Sequence, residues 1–432
     1  MRGLFIFGPF VWFATATVAA QDTVRLIEVF RPDYQYRVSC RVDIEGSLKL
    51  PIGKDPAAQS LKISGASTIK YDERVLSVAQ GRVDKTVRKV QKMDFARKVG
   101  DQDQEYKLRP DVSLLVIQRL DNVEVPFSPQ GPLLLGEIEL VRTDVFTPAL
   151  AGLLPKAPVK SGDDWPADFE AVKELTDLEK ITKGGLTCRF EGTDRVDAHR
   201  ARVGFKGVII GVGEDGPAQH DLEGYYIFDL KGNHISYVSL QGIHRPLNAA
   251  GLPQGEIKGT FVLTRDLADS ADLTNAALAR WNLSPNDDNT QILFDSPEAR
   301  FVYPRHWRID EANGRQIRLV EKQGSDVLIT LDPVAKQPSA VAFQKEVLAG
   351  LGQQKALIEK VQNPHTIQSN PFAVEHFGVE ARFGTQPAAF DYYVVRQNAG
   401  GATLSARYLP AQAEARRREV ERVAKSLVLN VK

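Results

Sequence analysis

The chain has 432 residues, of which 43% are hydrophobic and 25% are charged, a composition typical of globular proteins long enough for two or three domains. Its 55 Lys and Arg residues balance its 55 Asp and Glu residues. This zero formal net charge argues against a nucleic-acid-binding protein, which usually carries a basic excess. The dense basic cluster Arg416–Arg418 is interpreted as the solvated face of a helix.

Residues 1–20 have the features of a secretory signal peptide. Arg2 gives a positive start, residues 4–18 form an apolar core, and small residues precede a cleavage position near Ala20. The core is short for a membrane span, which takes about 20 residues, and no cysteine stands at the cleavage position to carry a lipid. The sequence therefore predicts export to the periplasm or the exterior, as a protein that is soluble after cleavage and has no transmembrane segment in its mature chain.

Residues 21–267 are predicted to form a first domain, a curved antiparallel sheet with a few helices. Alternating apolar and polar residues indicate its opening strands, which are Val24–Val29, Tyr34–Val42, Leu61–Val78 and Leu114–Ile117. Other segments indicate helices: the charged segment Lys85–Ala96, the apolar segments between 136 and 154, and Phe169–Ile181, whose spacing favours a helix slightly.

The domain ends in a predicted antiparallel meander between Gly185 and Leu263. Its short apolar-rich segments are separated by glycine turns or polar loops, and they are Leu186–Phe190, Ala201–Ile210, Tyr225–Leu230, Ile235–Leu240 and Gly259–Leu263. Alternate positions of the central strands are expected to form the concave face of the sheet, but the pattern leaves open which alternation faces inward. Trp165 is expected to close one end of this sheet.

A linker with a short Ala-rich helix, Asp272–Trp281, is predicted at residues 268–290. Residues 291–432 then form a second domain with the element order β-β-β-α-β-β-β-α, whose helices are Ser339–Leu351 and a closing helix after Pro410. Hairpins with helices laid against them indicate an α+β sandwich. In the strand doublet Tyr392-Tyr393, one ring is expected to face inward and the other outward.

Only two cysteines are present, Cys40 and Cys188, and both lie in strand-like segments. In an oxidising compartment two such cysteines can pair, and a disulfide closing so long a loop would stabilise the fold by about 4 kcal/mol in the chain-entropy model. Two separate buried thiols are the equal alternative. The sequence leaves both open because it does not give the distance between the two Cα atoms.

Two resemblances to known families follow from these elements. The signature Phe301-Val302-Tyr303-Pro304-x-x-Trp307, followed by the second domain's strands and helices, resembles the α/β/α sandwich of the photosystem-II-subunit-P (PsbP) type. The first domain is similar to a family of uncharacterised exported proteins of planctomycete-type bacteria. The matching phrases are Tyr71-Asp72-Glu73-Arg74-Val75, Leu108-Arg109-Pro110, Ser128-Pro129-x-Gly131-Pro132-Leu133, Leu153-Leu154-Pro155-x-x-Pro158-Val159-x-x-Gly162-Asp163-x-Trp165 and Cys188-x-Phe190-Glu191-Gly192.

The resemblance to the uncharacterised exported proteins implies no activity for the chain. The sheet-plus-helix order of the first domain also resembles the half-barrel of periplasmic lipoprotein carriers such as LolA, which is an analogy of fold alone. That analogy implies a curved sheet with a covered concave face.

Catalytic and cofactor motifs are either missing or out of context. Residues 211–216 match the glycine pattern of a dinucleotide site, but Pro217 and a strand follow where a helix is needed, so a hairpin loop is predicted. Gly53-Lys54 lacks the other residues of a phosphate-binding loop, and the acidic residues at 101–105 lack the glycine of a calcium loop. The seven histidines show no helical zinc spacing, and no serine-hydrolase elbow appears.

The sequence therefore favours an exported, non-enzymatic binding or accessory protein whose partner is an apolar small molecule or a protein of the cell envelope. Two alternatives stay open, a hydrolase-type enzyme with a non-local active site and a structural component of the envelope. No catalytic, cofactor-binding or metal-binding residue is predicted, nor any cofactor or nucleic-acid partner. The oligomeric state is not indicated.

Overall fold

The computed structural model describes residues 23–50, 59–120, 123–194 and 196–430. The predicted signal peptide and the Gly53-Lys54 motif lie outside these residues. Among the described residues, no helix has the length and apolarity needed to cross a membrane.

Antiparallel strands dominate the described chain and confirm the α+β class. The strands of the first part are β1 Gln35–Leu50, β2 Gln59–Ala79, β3 Arg82–Val99, β4 Gln102–Lys107, β5 Leu114–Leu120, β6 Val123–Phe127, β7 Leu133–Leu134, β8 Asp164–Pro166, β9 Lys180–Gly184, β10 Thr187–Thr193, β11 Arg200–Gly213, β12 Gly216–Asp229, β13 His234–Pro246 and β14 Gly255–Leu267. Those of the second part are β15 Ile292–Asp295, β16 Ala299–Tyr303, β17 Trp307–Asn313, β18 Gln316–Glu321, β19 Asp326–Asp332, β20 Leu357–Val361, β21 His365–Gln368, β22 Ala373–Phe383, β23 Gln386–Gln397, β24 Gly400–Tyr408 and β25 Val428–Leu429. The helices are α1 Leu135–Arg142, α2 Phe169–Thr176, α3 Asn275–Leu278, α4 Ala340–Gln353 and α5 Ala413–Ser426.

The chain forms two compact units. Unit I consists of the described residues up to Val29 together with Ala149–Glu256, and unit II consists of Phe30–Pro148 and Ile257–Lys432. Each unit therefore combines segments that are far apart in the sequence. The predicted division into residues 21–267, 268–290 and 291–432 rests on composition, and it stays a prediction.

Unit I is built on a sheet in which β13, β12, β11 and β10 are neighbours in that order, with the short β8 on the outer side of β10 and β9 on β11. Alternate residues of the central strands are buried, among them Val203, Phe205, Tyr226 and Val238. We call this the covered face. This alternation settles which positions of the predicted meander face inward, a point that the sequence pattern leaves open.

The first part of unit II is a sheet of long strands in the order β6-β5-β3-β2-β1-β14. A small sheet, β25-β16-β15-β7, and a larger one, β17-β18-β19-β24-β23-β22-β20, follow. Helix α4 packs on one face of the larger sheet, where Phe377 and Tyr392 are buried. Helix α5 packs on the other face, where the Tyr393 hydroxyl donates to the Arg417 carbonyl (3.3 Å). The predicted sandwich with helices on both faces is therefore present.

Four local predictions are wrong. Val24–Val29 is not a strand, since only Val24 is paired, in an isolated bridge with Val159. Lys85–Ala96 is not a helix but part of β3, because its charged side chains find partners on neighbouring strands, such as Glu73 for Arg88. The predicted linker helix Asp272–Trp281 is much shorter than expected, since only the four residues of α3 are α-helical. Tyr392 and Tyr393 are both buried, since a helix covers each face of their strand.

Candidate ligand-binding groove

A groove of about 1190 Å³ lies in unit I beside the edge strand β8. Its first wall carries Trp165, which β8 places on the covered face, opposite Cys188 of β10. The indole Nε1 donates to the carbonyl of Leu153 (2.9 Å), and the Tyr226 hydroxyl donates to the same oxygen (3.2 Å). One ring edge of Trp165 is therefore held by a hydrogen bond, while the residue itself is only half-buried along the groove.

The turn before β8 explains why the tryptophan stands there. Gly162 adopts φ +94°, a conformation that side chains with a Cβ rarely take. Its amide donates to the Phe190 carbonyl (2.8 Å), and the Phe190 amide donates back to the Asp163 carbonyl (3.0 Å). A carboxylate oxygen of Asp163 also accepts from the Lys160 amide (3.0 Å). The turn is thus bound to β10 and starts β8 in a single register.

Phe169 forms the most exposed apolar part of the lining. It is the first residue of α2, whose N-cap Asp168 accepts a hydrogen bond from the Glu170 amide (3.3 Å). The Asp168 amide donates to the Gly152 carbonyl (2.8 Å), which fixes the start of the helix. Phe169 remains 58% exposed, although exposing so large an aromatic ring to water is unfavourable.

Another part of the lining comes from the beginning of the described chain and from a proline-containing segment. Val24 and Val159 exchange two backbone hydrogen bonds (2.7 and 2.9 Å), and this bridge brings Leu26 and Ile27 to the groove beside Pro155 and Pro158. Leucine, isoleucine and proline side chains offer an apolar surface without hydrogen-bond donors. This part of the lining therefore suits an apolar ligand.

Gly184 lines the groove where β9 gives way to β10 on the edge of β11, and Gly207 of β11 packs against the same segment. A Cβ on Gly184 would lie 1.9 Å from the Val208 carbonyl oxygen, and one on Gly207 would lie 1.9 Å from the Gly185 carbonyl oxygen. Such distances exclude any side chain, so the backbones of the two segments approach closely only because these positions are glycine.

The groove is chemically simple. Aromatic, aliphatic and proline residues make up most of its lining, and the charged groups are Lys156 and four carboxylates, which belong to Glu28, Asp163, Asp164 and Asp168. Its volume exceeds the roughly 300–1,000 Å³ of typical small-molecule pockets. The arrangement can remove an elongated apolar molecule from water, but it presents no nucleophile with an adjacent base.

The concave-face residues that the sequence singled out do not line this groove. Val203, Phe205, Tyr226 and Phe228 are almost fully buried on the covered face by protein atoms. The groove instead lies at the edge of the sheet. Trp165 was expected to close one end of the sheet, and its position on β8 agrees with that expectation.

Both cysteines are buried. Cys40 lies in β1 of unit II and Cys188 in β10 of unit I. Burial raises the pKa of both thiols, that of Cys188 to about 12, so neither is a reactive thiolate at neutral pH. Their pairing as a disulfide stays a prediction.

Unit II contains a buried charged cluster that the sequence did not reveal, formed by Glu73, Arg88 and Asp144. The Arg88 guanidinium, 1% exposed, donates to Glu73 (2.8 Å) and to Asp144 (2.9 Å) and lies 4.5 Å above the Tyr71 ring. Burial raises the pKa of Asp144 to about 6, against the opposing effect of Arg88. The residues are enclosed in the core, so the cluster is a feature of stability rather than a site for a ligand.

A second cluster in unit II bears on the hydrolase alternative. Asp391, fully buried, accepts from His376 Nε2 (2.7 Å) and from Arg417 Nε (2.9 Å). A carboxylate orients the imidazole of the catalytic histidine in this way in hydrolases. The ring of His376, however, packs against the rings of His365 and Tyr393, and not against a serine or cysteine that could act as the nucleophile. The cluster therefore fastens α5 to the sheet.

The basic cluster Arg416–Arg418 is only partly the solvated helix face that was predicted. Arg418 is exposed beside Glu414, whereas Arg416 is mostly buried against Glu321 and Arg417 binds Asp391. Arg416 and Arg417 thus fasten α5 to its neighbours, whereas Arg418 is solvated.

The hairpin loop predicted at residues 211–216 is present. The glycines at 211–216 form the hairpin between β11 and β12, with Gly216 at φ +110°. Among the described residues, no group of three or more His, Cys, Asp or Glu side chains is arranged to hold a metal ion.

Comparison with known proteins gives no family for the chain. No protein-family model matches it, and no curated protein sequence matches it. Among solved structures it is similar to the cyanobacterial PsbP protein CyanoP from Synechocystis sp. PCC 6803, with 8% identity, coverage of 32% of this chain and 92% of that chain, and a TM-score of 0.26. It is also similar to MucB, solved in complex with MucA(peri), with 11% identity, coverage of 91% and 94%, and a TM-score of 0.15.

A third similar structure is DynF from the dynemicin biosynthesis pathway of Micromonospora chersina, with 6% identity, coverage of 62% of this chain and 96% of that chain, and a TM-score of 0.16. A PsbP protein is thus among the similar structures, as the sequence predicted. All three TM-scores lie below 0.5, so these likenesses carry no argument about fold, ligand or partner.

Sequence reasoning missed the groove because its walls come from four separated segments. One local feature could have pointed to it. Asp168 followed by Phe169 indicates an N-cap and the first residue of a helix. Because the first turn of a short helix is usually solvated, this pattern predicts an exposed aromatic ring.

Proposed function

We propose that this chain is an exported, non-enzymatic accessory protein that binds an elongated apolar ligand in the groove of unit I. The observation that carries the proposal is the combination of a groove of about 1190 Å³ with a 58% exposed phenylalanine in its lining. Large exposed apolar surfaces in a concave site are typical of ligand or partner binding. Export rests on the signal peptide that the sequence predicts.

The lining also favours an apolar occupant over a polar one. Aromatic, aliphatic and proline residues make up most of it. Among the lining side chains that can donate a hydrogen bond, Trp165 has already used its indole N–H on the Leu153 carbonyl, which leaves Lys156 and Thr187. The free energy of binding would therefore come mainly from burial of apolar surface.

The first experiment is mass spectrometry of organic extracts from the protein purified from an exported preparation. A stoichiometric lipid or other apolar molecule supports the proposal. If gentle purification repeatedly yields an empty extract, the direct test is titration with N-phenyl-1-naphthylamine, a neutral apolar probe that fluoresces when it leaves water.

A matched pair of variants locates the binding. Phe169→Ser removes the exposed ring from the groove, and Leu252→Ser changes an apolar side chain of similar exposure (61%) in the same unit but outside the groove lining. Covering the exposed part of a Phe ring is worth about 1–1.5 kcal/mol, so Phe169→Ser should weaken probe binding about 5- to 10-fold. Leu252→Ser should leave it unchanged. Equal affinities for both variants and the parent would refute binding in this groove.

A further inference from the structure

We propose that His220 and His244 form a transition-metal site in unit I, where one divalent ion binds both imidazoles and completes its coordination with water. The site is independent of the groove and of the proposed ligand.

The sheet register places the two histidines together. His220 of β12 and His244 of β13 are direct partners across the antiparallel ladder, and such partners lie on the same face with Cβ atoms about 4.5–5.5 Å apart. Their ring nitrogens, Nε2 of His220 and Nδ1 of His244, are 3.2 Å apart. Two imidazole nitrogens that each lie about 2.0–2.1 Å from one ion, at tetrahedral or square-planar angles, are roughly 3 Å apart.

The orientation of the rings also suits a shared ion. Their centroids are 4.6 Å apart and their planes are inclined by 53°. Because a centroid lies about 1.1 Å from each ring nitrogen, a head-on hydrogen bond at the same nitrogen separation would hold the centroids about 5.4 Å apart. The observed distance is shorter, so the two nitrogens do not point straight at each other.

The cation next to His244 in the sequence is neutralised on the other face of the sheet. Arg245 follows His244 and therefore points to the opposite face, where it binds Asp221 (2.5 Å) and Glu256 (3.0 Å). An incoming cation thus meets no uncompensated charge from Arg245. Since no third protein ligand joins them among the described residues, the site should favour Cu²⁺, which binds nitrogen ligands most strongly among the divalent ions of the first transition row.

The test is titration of the full chain with Cu²⁺ alone at pH 7, followed by calorimetry and electron paramagnetic resonance. We expect one ion per chain, with a spectrum that shows two nitrogen ligands. His220→Gln and His244→Gln should each weaken binding at least tenfold and reduce the spectrum to one nitrogen. His199→Gln, which removes an exposed histidine of the same unit, should have no effect. Unchanged affinity and spectrum in the first two variants would overturn the proposal.

A further readout needs no variant, in case a substitution disturbs the fold. Cu²⁺ should selectively broaden the NMR signals of two imidazoles, and signals of other histidines broadening first would contradict the assignment.

Discussion

Replacing Asp144 by Asn should stabilise unit II at neutral pH and remove a pH dependence from its unfolding. In the folded protein the Asp144 carboxyl is buried and its pKa is about 6, because desolvation outweighs the attraction of Arg88. In the unfolded chain its pKa returns to about 3.8. Folding therefore costs free energy whenever this carboxyl is ionised.

The sign and size of this effect on the free energy of unfolding follow from proton linkage. Between pH 4 and pH 6 the folded state holds one more proton than the unfolded state, so the free energy of unfolding falls as the pH rises. The difference of about two pKa units corresponds to at most about 3 kcal/mol, at about 1.4 kcal/mol per unit. This contribution is present below pH 4 and is lost as the pH rises through 6. Asn keeps the shape of the neutral acid and does not titrate, so the variant should lack this slope.

The assay is urea unfolding at intervals of half a pH unit from 4.5 to 7.5, followed by circular dichroism and by hydrogen exchange of the β3 amides, which report on unit II. The matched control is Asp101→Asn, which removes the same charge from an exposed position. We expect the difference between Asp144→Asn and the parent to grow with pH and the difference for the control to stay flat. Parallel curves for the parent and Asp144→Asn would show that burial does not dominate at this carboxyl.

Three other predictions concern stability and thiol chemistry. Arg88→Met should lower the free energy of unfolding by about 3–5 kcal/mol, since it leaves two buried carboxylates without their cation; a loss below 1 kcal/mol in urea unfolding would contradict the charged cluster. Gly207→Ala should lower the free energy of unfolding by about 1–3 kcal/mol or more, because its Cβ would clash with a backbone carbonyl. Gly350→Ala on α4, where a Cβ meets nothing, should leave stability unchanged or raise it in the same urea-unfolding assay. Cys40 and Cys188 should resist iodoacetamide in the native state, because burial raises their thiol pKa. Labelling of both in urea without a reductant would rule out the disulfide, and labelling only after reduction would establish it.

Much of the architecture follows from the sequence because it depends on local periodicity. The period-2 alternation in Tyr34–Val42 and Leu61–Val78 indicates long strands. The first segment corresponds to β1 and the second to β2. The helical spacing of Ser339–Leu351 and the residues after Pro410 correspond to α4 and α5. Each of these elements presents an apolar face at its own repeat, so neighbours within a few residues determine its type.

The sequence fails where a residue's partner is distant. Lys85–Ala96 has the composition of a helix, yet Arg88 within it binds Asp144, which lies 56 residues away. A charged side chain in a strand becomes stable only when such a partner is in place, and composition does not show it. For the same reason Tyr392 and Tyr393 are both buried, since each needs a different helix to cover it.

The sequence by itself therefore determined the α+β class, most strands, both helices of the sandwich and the hairpin at residues 211–216. Only the tertiary structure brings together the residues of the two proposed sites. The groove requires Leu26, Pro158, Trp165 and Phe169 to meet, and the histidine pair requires the register that sets His220 opposite His244. Periodicity fixes which way a side chain points along its own strand, but the distance between two strands depends on how the whole sheet is assembled.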